Sequence, residues 1–162
     1  MIRYPNLIPE CNVDTVFVEA MGFRDPNHAP SINKVCEILE SRHANVKAIG
    51  FIDNDKKKPT YLKQFTLTDS HDKVQLLQHS TKSQYLIVVA PAMDRFIFDL
   101  CTELEIDLAQ YGLPTEFAAF KSKTKQEAIT RNPNFKNLLN TIRQRNPPKI
   151  AKIRSWIAAH HD

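Results

Sequence analysis

Glycine is scarce in this chain. Gly22, Gly50 and Gly112 are the only three in 162 residues, so no glycine-rich loop exists to cradle phosphates, and nucleotide binding by that route is excluded. Cysteine is equally thin: Cys11, Cys36 and Cys101 form no Cys-x-x-Cys and leave an odd thiol. A disulfide framework is therefore not expected, and a reduced, cytoplasmic setting is. No apolar run approaches the ~20 residues that a membrane-spanning helix needs. The first ten residues, with two prolines and a glutamate, lack the apolar stretch of a signal peptide, so none is expected. Six histidines show no zinc-ligand spacing.

What is present is a chain long enough for one well-buried domain, with its charge unevenly spread. Residues 1–120 carry 12 Lys/Arg against 16 Asp/Glu, whereas residues 121–162 carry 10 Lys/Arg against Glu127 and Asp162 alone. An acidic body with a basic C-terminal segment suits a cation site beside a surface for polyanions. The competing reading of the basic segment is a solvated helical face.

Apolar runs at Ile2–Glu10, 46–52 and 84–90 predict strands. Helical spacing predicts helices at Asn12–Met21, at 31–42 with Ser31 as N-cap, and at Asp94–Leu104. A short strand is expected at Tyr61–Leu67 and a short helix at Lys73–His79. After Gly112-Leu113-Pro114 the pattern predicts three helices, near 115–129, 133–144 and 147–159, with Asn146 capping the last. Strands alternating with helices imply an α/β fold, with a mostly parallel sheet flanked by helices. Residues 1–112 would form that unit, and 113–162 a basic helical extension packed on it.

Carboxylates mark where these apolar runs stop. Glu10 and Asp14 follow the first run, and Asp53 and Asp55 follow the second. The ends of parallel strands are where open α/β sheets place ligands, and an all-oxygen acidic set suits Mg²⁺ or Mn²⁺. Asp94, after the third run, is either a fifth member of the set or the N-cap of its own helix. Lys56, Lys57 and Lys58, beside the aspartates, read either as a phosphate-facing patch or as a soluble turn. Trp156 is read as an anchor for the last helix, and Cys11 as a small buried residue.

A glutamate at a strand end, an aspartate four residues on, and Asp-x-Asp about 43 residues later resembles the Toprim family. In that family Glu-Gly-x-x-Asp ends the first strand and Asp-x-Asp ends the third. The resemblance spans roughly residues 1–100, with Glu10, Asp14, Asp53 and Asp55 at the motif positions and Cys11 in place of the motif glycine. It implies a Toprim-like, Rossmann-like sheet in which Glu10, Asp14, Asp53, Asp55 and Asp94 hold Mg²⁺ or Mn²⁺. Glu10, Asp53 and Asp55 would then carry the hydrolysis or transfer of phosphodiester bonds in DNA or RNA. The basic residues expected to meet that backbone are Lys56, Lys57, Lys58, Lys121, Lys123, Arg143, Arg145 and Lys149. The alternative is a Toprim-like binding module without turnover, engaged with a protein partner in a larger complex.

Overall fold

The computed structural model describes residues 2–54 and 58–161. Its centre is an open five-stranded mixed sheet formed by β1 (Leu7–Pro9), β2 (Ala48–Asp53), β3 (Phe65–His71), β4 (Val74–His79) and β5 (Gln84–Val89). The strand order is β1-β2-β5-β4-β3. β1 pairs with β2 and β2 with β5 in parallel, while β5–β4 and β4–β3 are antiparallel. The sheet is thus α/β but not mostly parallel, and the expectation from the sequence is corrected.

The physical reason lies at residues 71–79. Lys73–His79, read as a helix, is the second arm of a hairpin. Asp72 takes a left-handed backbone conformation, φ 53°, one that Asp tolerates better than most residues. The chain therefore reverses between His71 and Val74. Once reversed, Val74, Leu76 and His79 bury their side chains while Gln75 and Gln78 face solvent, close to the period of two that a half-buried strand needs. The strand expected at Tyr61–Leu67 begins only at Phe65, after a 3-10 turn at Thr60–Gln64.

Period-two alternation on the parallel strands feeds two cores. Leu7, Ile49, Phe51, Ile87 and Val89 face one side, where they meet α1 (Asn12–Ala20), α3 (Met93–Glu103), α4 (Phe117–Thr124), α5 (Pro133–Arg145) and α6 (Pro148–His160). Ile8, Ala48, Ile52, Leu86 and Val88 face the other, covered by α2 (Ile32–Glu40) and the 3-10 turn. Gly50 lets α2 lie close, because a Cβ there would stand 2.6 Å from Leu86 Cδ2 and 3.0 Å from Val35 Cγ1. Gly22, at φ 102°, turns the chain out of α1 in a conformation that suits glycine.

Ser31 caps α2 as the pattern predicts, its Oγ accepting from Lys34 N at 3.2 Å. The expected helix at 115–129 stops at Thr124 and continues as a 3-10 turn at Glu127–Arg131. Asn146 is the left-handed C-cap of α5, and Pro147 caps α6 in its place. No helix among the described residues is long and apolar enough to cross a membrane.

Candidate functional site

The C-terminal ends of β1 and β2 and the start of α3 are laced together by carboxylates. Glu10 directly follows β1 and is fully buried. Its Oε2 accepts from the backbone N–H of Asp53 at 2.9 Å. Asp53 ends β2, 7% exposed, and its Oδ1 accepts from Met93 N at 3.0 Å. It thereby serves the first turn of α3, whose N-cap residue Ala92 has no side-chain acceptor. Asp94 is therefore not the N-cap of that helix. It is a nearly buried first-turn residue beside the same cleft as Asp53.

Asp14 occupies the first turn of α1 and is fully buried. Negative charge is favoured there by the partial positive charge of the helix start. Three residues earlier Cys11 stands at the N-cap in extended backbone. One ligating atom each from Cys11, Asp14 and Asp53 lies within 4.8 Å of the other two. Burial pushes the Cys11 thiol well above its ordinary range; the negative charge of Asp14 adds to this, and Asp53 contributes further. An uncomplexed Cys11 is thus a neutral thiol among carboxylates.

Cys11 and Asp53 of this cluster line a cleft of about 390 Å³, whereas the fully buried Asp14 does not reach it. Lys121 of α4 and Lys125 at its C-cap, four residues apart and so on one side of that segment, also line the cleft, with Thr124 between them. His28, from the segment that leaves α1, also lines the cleft. The basic segment and the acidic motif, separate in sequence, therefore meet in space, but only through part of α4.

The other basic residues lie elsewhere. Lys149 of α6 is mostly buried in ion pairs with Glu103 at 2.8 Å and Asp72 at 2.9 Å. Burial opposes its charge, yet the hydrogen bonds to Glu103 and Asp72 outweigh that, and the ammonium's pKa shifts upward. Arg145 donates to the Leu104 carbonyl at 2.5 Å. Arg143 lines a separate groove with Arg154, between α6 and the Met21–Phe23 turn. Lys123 is on α4 and does not line the cleft. Lys58 donates to Asn54 Oδ1 at 2.6 Å. Asp55, Lys56 and Lys57 lie outside the described residues.

Three residues of the cleft escaped the sequence reading. Cys11 looked like a small core residue, although its place beside Glu10 in the motif was a signal. Lys125 was counted only as part of the charge excess. His28 sat in a loop with no spacing partner. No protein-family model, curated protein or solved structure matches this chain.

Proposed function

We propose that this is a Toprim-like protein whose acidic cleft binds a divalent cation and acts on phosphodiester bonds of a nucleic acid. The observation that carries the reading is the convergence of Cys11, Asp14 and Asp53 within 4.8 Å of one another, with Cys11 and Asp53 lining a cleft that Lys121 and Lys125 also line. Asp14 and Asp53 suit a hard cation. The thiol suits a softer one, so the set fits Mn²⁺ better than Mg²⁺, which holds strictly to octahedral oxygen ligands. Glu10 braces Asp53 from behind, fixing the end of β2, and Asp94 stands at the rim within the same cleft. A bound cation supplies charge neutralisation at the phosphoryl oxygens. Lys121 and Lys125 then hold the neighbouring phosphates by charge, without reading sequence.

A nuclease assay in Mn²⁺ on single- and double-stranded DNA and RNA, comparing wild type with Asp53→Ala, tests the reading. Loss of cleavage by ~10³-fold or more is expected for Asp53→Ala, the scale of losing a main transition-state stabiliser. Equal cleavage by the two proteins sinks it. Cys11 at the motif glycine position favours the second reading, a binding module without turnover. Mn²⁺-dependent nucleic-acid binding without cleavage by the wild type would select that one.

A further inference from the structure

His28 is held in a way that nothing about the acidic cluster requires. Its backbone lies between two hydrogen bonds to the outer edge of β1, Asn27 N to Leu7 O at 2.8 Å and Ala29 N to Pro9 O at 2.8 Å. The segment therefore runs along the sheet as a strap, which places the residue near the strand end from which Glu10 and Cys11 follow. The side chain is oriented as well: Nδ1 lies 2.8 Å from Thr15 Oγ1. Thr15 Oγ1 lies 2.7 Å from the Cys11 carbonyl oxygen.

Those two distances favour one protonation pattern of the ring. A carbonyl oxygen only accepts, so the 2.7 Å contact places the hydroxyl proton of Thr15 towards Cys11, whose carbonyl also accepts from Thr15 N at 3.0 Å. In that arrangement Thr15 Oγ1 faces His28 as an acceptor, and His28 Nδ1 donates. A neutral ring that carries its proton on Nδ1 has a bare lone pair on Nε2, the nitrogen turned away from Thr15. His28 lines the same cleft as Cys11, Asp53, Asp94, Lys121 and Lys125. A base oriented by a second group that fixes its tautomer is the arrangement proton transfer needs.

From this geometry we infer that His28 Nε2 is the proton acceptor of the cleft and that Thr15 is its positioning residue. The inference rests on the phosphodiester reading above and adds a general base to it. In the step assigned to it, a water oxygen attacks phosphorus while Nε2 takes that water's proton. The bond from phosphorus to the leaving oxygen breaks, and its electron pair stays on that oxygen, which takes a proton from solvent. The imidazolium gives its proton back to solvent, so one water is consumed and the ring returns neutral. Glu10 is committed to the Asp53 N–H, which leaves it less suited to this task.

Two measurements test the inference. Nitrogen-15 NMR of the imidazole rings, assigned with His28→Ala, should show His28 in the Nδ1–H tautomer in wild type and in Thr15→Ser. Thr15→Val should release it to the Nε2–H form usual for free imidazole. A wild-type ring in the Nε2–H form overturns the assignment. The second measurement is cleavage of bis(p-nitrophenyl) phosphate in Mn²⁺, a diester whose leaving group needs no proton and so isolates the base. His28→Ala should lose about 10²-fold or more, with Mn²⁺ affinity by calorimetry unchanged and part of the rate restored by added imidazole. Thr15→Val should lose less, and Thr15→Ser should recover. Cleavage that depends on Asp53 but not on His28 overturns this inference and leaves the proposed function standing. Absence of Asp53-dependent cleavage overturns both.

Discussion

The strands β2 and β5 run from one buried polar group to another, and the two ends are built in opposite ways. At the start of β5, Gln84 is fully buried and neutral. Its Nε2 donates to the carbonyls of Leu39 at 2.7 Å and His43 at 3.0 Å, and its Oε1 accepts from Tyr61 Oη at 2.5 Å. Nearby His79 has Nε2 3.0 Å from Gln64 Oε1 and accepts on Nδ1 from Thr81 N and Lys82 N. At Gln84 and His79 donors meet acceptors, which is how buried polar groups stabilise a fold. At the other end Glu10, Asp14, Asp53 and Asp94 are buried, and Asp14 and Asp53 reach within 4.8 Å of Cys11 and of each other. The network at Gln84 is neutral, whereas the other end gathers acidic groups at the place proposed above for a cation.

The sharpest way to break this contrast is Gln84→Leu. It strands two carbonyls and a tyrosine hydroxyl, so urea unfolding should show a loss of about 3–5 kcal/mol, with the Mn²⁺ response of the folded protein intact. Next in size is the cation itself. At 100 times its dissociation constant Mn²⁺ should raise wild-type stability by about 2.7 kcal/mol, read as a shift in thermal unfolding. Asp14→Asn should abolish that shift; a shift of full size in the variant would remove Asp14 from the site.

The basic residues supply a third test, because α4 and α6 use theirs differently. Replacing Lys121 and Lys125 with Gln should lower the slope of log affinity for nucleic acid against log salt by about 2. Lys149→Gln should leave that slope alone and lower the melting temperature, since its partners are Glu103 and Asp72. The reverse pattern would move the nucleic-acid surface to α6.

The smallest expected effect is a pH dependence at the neutral end. Burial, with Lys82 nearby, holds the His79 imidazolium below the usual histidine range. Burial, with Lys47 nearby, does the same to His160, which stacks on Tyr85 at 4.0 Å. As pH falls past the ordinary histidine value of about 6.5, the unfolded chain takes up protons that the folded one refuses. Both contributions are thus complete above that value and are lost as pH drops through the folded values. His79→Gln should flatten this slope in thermal melts between pH 7 and 5. An unchanged slope would show that His79 is not its source.

Much of this was legible in the residues. Leu7, Ile49, Phe51, Ile87 and Val89 sit in runs whose apolar continuity announced buried strands, and Ser31 and Gly22 marked helix ends through local backbone chemistry. The hairpin at 65–79 was not legible. Val74, Leu76 and Leu77 satisfy helical spacing nearly as well as alternation over so short a stretch, and a single backbone conformation at Asp72 decided between them. The site divides the same way. Glu10, Asp14 and Asp53 could be picked out because each follows an apolar run. Lys121 was named only as one of eight basic residues, and Lys125 and His28 could not be picked out, since distance from the motif along the chain says nothing of distance in space.

By itself the sequence determined which segments would be buried and where acidic residues would fall at strand ends, because hydrophobic periodicity and local turn chemistry act over a few residues. Tertiary structure alone decided the mixed pairing of the sheet and the meeting of α4 with the carboxylates. It alone also divided the basic residues between cleft and fastening. Those depend on how helices pack across the sheet, through contacts between residues far apart in the chain.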